Sequence, residues 1–335
     1  ERPASKTFFI ERWFDMHRRI KAIAFILTIA CTMALFFPES SAGTVTLQER
    51  SIEDIMNKYR EKPFSLNGSG QVEYDITPSP RSPYAAGKVK DKHLQEAINA
   101  LNFVRYITGL PDDILLDETY TSYAQHGAVL LAALGKLTHN PPKPSDMPQK
   151  FYETAYKGPS NSNCAYGYDT ITGTILGFMD DSDPSNIDRL GHRRWLLNPP
   201  MKKTGFGYCD GFSDTYVFDR SRGYEIRYDF ISWPARNYMP VEFMNRQTAW
   251  SVNLGNEYDN PSVNDVQVTL KRRNDGKTWT FSGKSNSGST GNYFNVDNNG
   301  YGMPKCIIFR PAIDGYNAND VFDVTITGIS KGGVP

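Results

Sequence analysis

The sequence predicts an α+β chain whose helices come first and whose strands come last. Three observations carry this. Apolar residues recur at helical spacing between residues 91 and 197, alternation takes over after Pro200, and an Asn-Asp-Gly turn joins two alternating runs near the C-terminus. At 335 residues the chain exceeds the usual single-domain length, so two compact units are expected. Its 37 basic and 37 acidic residues cancel, which leaves no global field to draw it onto nucleic acid or an anionic membrane.

Residues 1–42 read as an extension followed by a secretory leader. Met16 opens a basic start with Arg18, Arg19 and Lys21, and an uncharged apolar run follows from Ala22 to Phe37. Pro38 stops the run, and Ser40 and Ala42 make a small-x-small cleavage site before Gly43. The run is too short and wrongly flanked for a firm membrane anchor; a retained anchor is the alternative. The mature chain is therefore expected outside the cell, secreted or associated with the cell wall, and not spanning a membrane.

Residues 43–90 are polar and broken by prolines, which suits a linker or a strap laid over the next domain, with a short helix around Ser51 to Tyr59. Residues 91–227 form the first domain. Leu94, Ile98, Leu101 and Val104 or Ile107 lie on one helical stripe, and Gly109 suits a left-handed stop. Asp117 caps the following helix, where Tyr120, Ala124, Ala128 and Leu131 recur before Gly135. "SNSNCAYGYDT" reads as a strand or turn, "TITGTILGFMDD" as a helix and "DRLGHRRWLL" as a short one. "KTGFGYCDGFSDTYVFDRS" alternates across a glycine-rich turn and reads as a hairpin. In residues 228–335 "VQVTL" and "TWTF" flank Asn274-Asp275-Gly276, and "CIIFRP" and "VFDVTITGI" add strands, which predicts a small β-sandwich.

Several fragments mimic known chemistry and fail. "GKS" from Gly283 lacks the earlier glycine of a phosphate loop, "GFSDT" lacks the last glycine of a nucleophile elbow, and "NVDNNG" has Cys306 where a calcium loop needs its bidentate acid. Past the leader the cysteines are Cys164, Cys209 and Cys306; one bridge and a buried thiol are expected, with Cys164–Cys209 the favoured pairing and the others open. Of the histidines, His93 reads as solvated and His126 as a core residue. His139 and His192 each stand at the end of an element, where a side chain reaches a cleft.

The segments "ALNFVRYITGLPDDILLDETYTSYAQHGAVLLAALGKLTH", "NCAYGY" and "GHRRWLLNPPMKKTGFGY", in this order, resemble the CAP superfamily of cysteine-rich secretory, antigen 5 and pathogenesis-related proteins, in its bacterial branch. The resemblance covers about residues 94–219. It implies an α-β-α sandwich with a polar cleft on one face, lined in family members by two histidines and two acids. Carried over by position, the histidines are His139 and His192, and one acid falls on Asp181, three residues after the aromatic Phe178. The other acid's place, in a Gly-Glu-Asn motif, is taken by Ser162, so this chain departs from the pattern there. The C-terminal region resembles the Ig-like β-sandwich that follows such domains, with a spacer or adhesion role.

This set points to a secreted protein whose histidine-lined cleft, built from His139, His192, Asp181 and Ser162, binds a small ligand, a metal ion or a partner without catalysis. The alternative is a metal-dependent hydrolase acting on peptides or cell-wall material, with a divalent ion such as zinc on His139 and His192. Loss of the acid at Ser162 weakens that alternative, because it removes both a ligand and a general base. Arg193 and Arg194 are expected to brace the loop "DDSDPSNID" through ion pairs with Asp180, Asp183 and Asp188.

Overall fold

The computed structural model describes residues 23–29 and 45–334. No helix among them is long and apolar enough to cross a membrane. The strap opens with helix α1, Ile52–Glu61, started by a capping box in which the Ser51 hydroxyl accepts from Asp54 N and the Asp54 carboxylate accepts from Ser51 N. Its Tyr59 meets Phe64 and Phe103 edge-on at 5.4 and 6.0 Å, so the strap is packed on the domain it crosses.

Helix α2, Asp91–Ile107, buries Ala97, Ile98, Leu101, Val104 and Ile107, the stripe the spacing predicts. His93 is not solvated: the strap covers it, and its Nε2 accepts from Glu73 N at 2.9 Å. Helix α3, Glu118–Leu134, begins under the Asp117 carboxylate, which accepts from Thr119 N and Tyr120 N, and ends at Gly135 with φ 60°. Helix α4, Gln149–Tyr156, packs beside it.

Strands β2 (Ser162–Tyr166), β3 (Phe206–Cys209) and β4 (Phe212–Tyr216) form an antiparallel sheet in the order β2-β4-β3. Helix α3 lies directly on one face. A Cβ on Gly205 would sit 2.1 Å from Thr121 N, and one on Gly207 2.2 Å from Ala124 O, so two glycines let helix and strand backbones touch. On the other face Ala165, Phe206 and Tyr208 join Ile171, Ile175 and Phe178 of α5, Ile171–Asp180, and the stripe of α2 in one core. The layers are helix, sheet, helix. Helix α6, Gly191–Leu196, completes the unit.

The β-sandwich stacks two five-stranded sheets. One runs β5-β7-β12-β11-β10, where β5 is Phe230–Trp233, β7 Trp250–Leu254, β10 Ser285–Asn286, β11 Tyr293–Asp297 and β12 Cys306–Arg310. The other runs β6-β1-β13-β8-β9, with β1 Ile23–Ile29, β6 Asn237–Met239, β8 Gln267–Arg272, β9 Thr278–Ser282 and β13 Val321–Thr327. Rings from both sheets meet between them: Trp250 lies 5.3 Å from Phe322, and Phe281 5.4 Å from Phe309. Trp279 is buried here, its Nε1 donating to Ala312 O.

Beyond His93, the apolar run, the cysteines and the paired arginines carry structure that local pattern does not suggest. Part of the apolar run read as a leader is strand β1, parallel to β13 from Ala24↔Val321 to Ile29↔Ile326 and antiparallel to β6; the cleavage site lies outside the described residues. Cleavage before Gly43 would remove β1 and part β6 from β13. Next, Cys164, Cys209 and Cys306 are all free and buried. Cys164 and Cys209 lie on strands with β4 between them, roughly 10 Å apart, beyond disulfide reach.

Arg193 and Arg194 do not brace the loop through surface ion pairs. Both are fully buried and join the two units. Arg193 donates to Met179 O and Asp180 O at the end of α5, and to Ala249 O and the Ser251 hydroxyl of the sandwich. Burial brings its guanidinium down to about 10, though Asp181 and Asp180 pull the other way. Arg194 donates to Met303 O, to Asn299 O and to the Asp297 carboxylate. Five donors in a planar fork suit a set of converging carbonyls that lysine could not serve.

Candidate functional site

Asp181 follows the last residue of α5 in the left-handed conformation, with φ 45°. That turn aims its carboxylate at the start of α6. Oδ2 accepts from His192 N at 2.9 Å and Arg193 N at 3.3 Å, and Oδ1 accepts from His192 Nδ1 at 2.8 Å. The carboxylate thus caps the helix and fixes the ring. With Nδ1 carrying the proton to Asp181, Nε2 is the nitrogen left to meet a ligand. Phe178 packs on the ring at 4.8 Å between centroids, and Asn163 Nδ2 donates to His192 O at 2.9 Å. Asp181 and Phe178 therefore hold the imidazole, and Asn163 of β2 holds its backbone.

The ring borders a cleft of about 480 Å³, within the usual range for small-molecule sites. Its walls include Asp181, His192, Phe178, Cys164, Tyr166 and Tyr168 from the first domain. Gln247 and Ser289 of the β-sandwich also line it, so the site spans both units.

The predicted residues separate here. His192 and Asp181 meet at the cleft. His139 stands beside it rather than in its wall: its Nδ1 donates to Pro159 O at 2.8 Å and lies 3.9 Å from Cys164 Sγ. Ser162 does not reach the cleft; its hydroxyl is buried and makes no hydrogen bond. Its strand position faces α3 together with Cys164, since alternate residues share a face.

A carboxyl group that sequence reasoning missed lies under this strand. Asp214 on β4 is opposite Cys164, fully buried, with neither oxygen hydrogen-bonded. A Cβ on Gly127 would fall 2.2 Å from its Oδ2, and one on Gly158 2.6 Å, so two glycines make its space. Burial pushes this carboxyl well above the usual range. Burial, with the Asp214 charge behind it, also raises the Cys164 thiol well above its ordinary value, which leaves it a poor nucleophile.

The residues do not fit a zinc site. Among the described residues no group of three or more His, Cys, Asp or Glu side chains could hold a metal ion. Asp181 is turned to His192 and to backbone amides, which leaves the two histidines without a third protein ligand among the described residues. A protein zinc site takes three or four ligands.

Residues 98–219 match the family model described as the cysteine-rich secretory protein family, CAP. No curated protein matches the chain. Among solved structures, an extracellular protein containing a SCP domain from Bacillus anthracis str. Ames is similar over 39% of this chain, at 18% identity and a TM-score of 0.30. The similarity spans 41% of that protein's length.

Proposed function

We propose, for a chain whose residues 98–219 form a CAP domain, that it is an extracellular binding protein whose cleft at His192 holds a small polar ligand without catalysis. One observation carries this reading. The His192 ring is fixed by Asp181 and opens through Nε2 onto a cleft of small-ligand size, yet no activated nucleophile stands with it. The candidates near it are spent: the Ser162 hydroxyl is buried away from the cleft and the Cys164 thiol is held protonated. A general base without a nucleophile or a metal-bound water recognises hydrogen-bond donors but does not cleave bonds.

The hydrolase reading is tested against this directly. Saturating Zn²⁺ should leave the melting temperature of the purified chain unchanged, whereas a metal held by His139 and His192 would raise it by mass action, and His139→Ala would abolish the rise. A screen of small polar molecules followed through the His192 ring proton signals should find ligands that shift them. Hydrolysis of peptide or cell-wall substrates that disappears in His192→Ala would overturn the proposal.

A further inference from the structure

We infer that the cleft takes an uncharged saccharide, laid with one sugar face on the Tyr166 ring and flanked by the sandwich loops that carry Gln247 and Ser289. This rests on the binding reading above and names its ligand class.

Tyr166 is 61% exposed, yet it is not loose. The Phe212 ring backs it at 4.5 Å, and a Cβ on Gly211 would lie 3.3 Å from its ring edge. An aromatic face that is supported from behind and open in front is a stacking platform, suited to the C–H face of a sugar ring.

The cleft's charges argue against an ionic ligand of either sign. No lysine or arginine lines it, while Asp180, Asp181 and Asp183 do, so an anion is repelled. Those carboxylates are already occupied by neutral donors. Asp180 accepts from the Ser182 and Thr248 hydroxyls, Asp183 from Ser185 and Asn186, and Asp181 from His192 and two backbone amides. They are not awaiting a cation.

What remains uncommitted is amphoteric. The exposed Gln247 amide and Ser289 hydroxyl line the cleft and make no hydrogen bond among the described residues. Such groups both donate and accept, which is what sugar hydroxyls require. Because both come from the β-sandwich, that domain supplies one wall of the binding site.

The test uses the full chain with cellotriose, maltotriose and triacetylchitotriose as neutral probes, spermidine as a cation and trigalacturonate as an anion. Calorimetry and the His192 ring signals are read together. At least one neutral sugar should bind and shift those signals; Tyr166→Ala should weaken binding at least tenfold, Tyr166→Phe should retain it, and Gln247→Ala should weaken it severalfold. An unchanged melting temperature for Tyr166→Ala separates lost stacking from misfolding. If spermidine or trigalacturonate shifts His192 and no neutral sugar does, the saccharide assignment fails while the cleft reading stands. If none of the probes moves His192, both fall. Sugar binding untouched by Tyr166→Ala overturns the proposed pose and with it the inference.

Discussion

Asp181 and His192, eleven positions apart, are joined twice: the carboxylate accepts the ring through Oδ1 and the backbone amide of the same residue through Oδ2. One side chain therefore sets both the start of α6 and the direction of its histidine.

Removing that link should be costly in a graded way. Asp181→Ala loses the cap, worth about 1 kcal/mol, and puts at positive φ a residue without the short polar side chain that lets Asp tolerate that turn, worth about another 1 kcal/mol. Asp181→Asn keeps an acceptor and tolerates the left-handed turn, so it should cost under about 1 kcal/mol. Urea denaturation measures both, and the alanine variant should also broaden the His192 ring signals.

Arg193 and Arg194 tie the two units together through buried hydrogen bonds. Arg193→Lys and Arg194→Lys should each cost about 2–4 kcal/mol, because a point charge cannot reach the carbonyls that a fork satisfies and leaves them buried and unpaired. Calorimetry should show one transition in the native chain and two in Arg194→Met. One transition in every variant would mean that the apolar contacts between the units suffice.

Asp214 makes stability depend on pH. Its folded value is raised above the unfolded value of about 3.9, so its favourable contribution is complete below about pH 4 and is lost as pH rises toward the folded value. The loss is about 1.4 kcal/mol per pH unit within that window. Asp214→Asn cannot ionise, so its melting temperature should exceed that of the native chain at pH 8 by more than at pH 4. An equal gap at both would show that the carboxyl titrates normally.

Local pattern made much of this architecture legible. Helical spacing gives the buried stripe of α2, Asp117 and Gly135 bound α3, and Asn-Asp-Gly gives the hairpin of β8 and β9. Asp181 and His192 are reached through the family resemblance, by position relative to Phe178 and to the glycine-led turn. The failures are contacts made across long stretches of chain. Arg194 finds all but one of its partners more than 100 residues away, so its charge suggests nearby aspartates instead. Asp214 sits in an alternating strand where a polar residue usually meets water; here α3 covers that face, and alternation cannot tell a covered face from an open one. Gln247 and Ser289 carried no signal, because only the docking of two domains brings them to the cleft.

Strand β1 has a consequence in time. Its parallel partner β13 is made about 290 residues later, which at roughly 5–20 residues per second is a delay of about 15–60 s. Until β6 is made the apolar run has no strand to join and is open to whatever machinery reads it. A leader cut during export would leave that sheet without β1, whereas a chain that keeps the run retains it. N-terminal sequencing should find Gly43 leading the protein in the medium, and the uncut run in any pool retained inside.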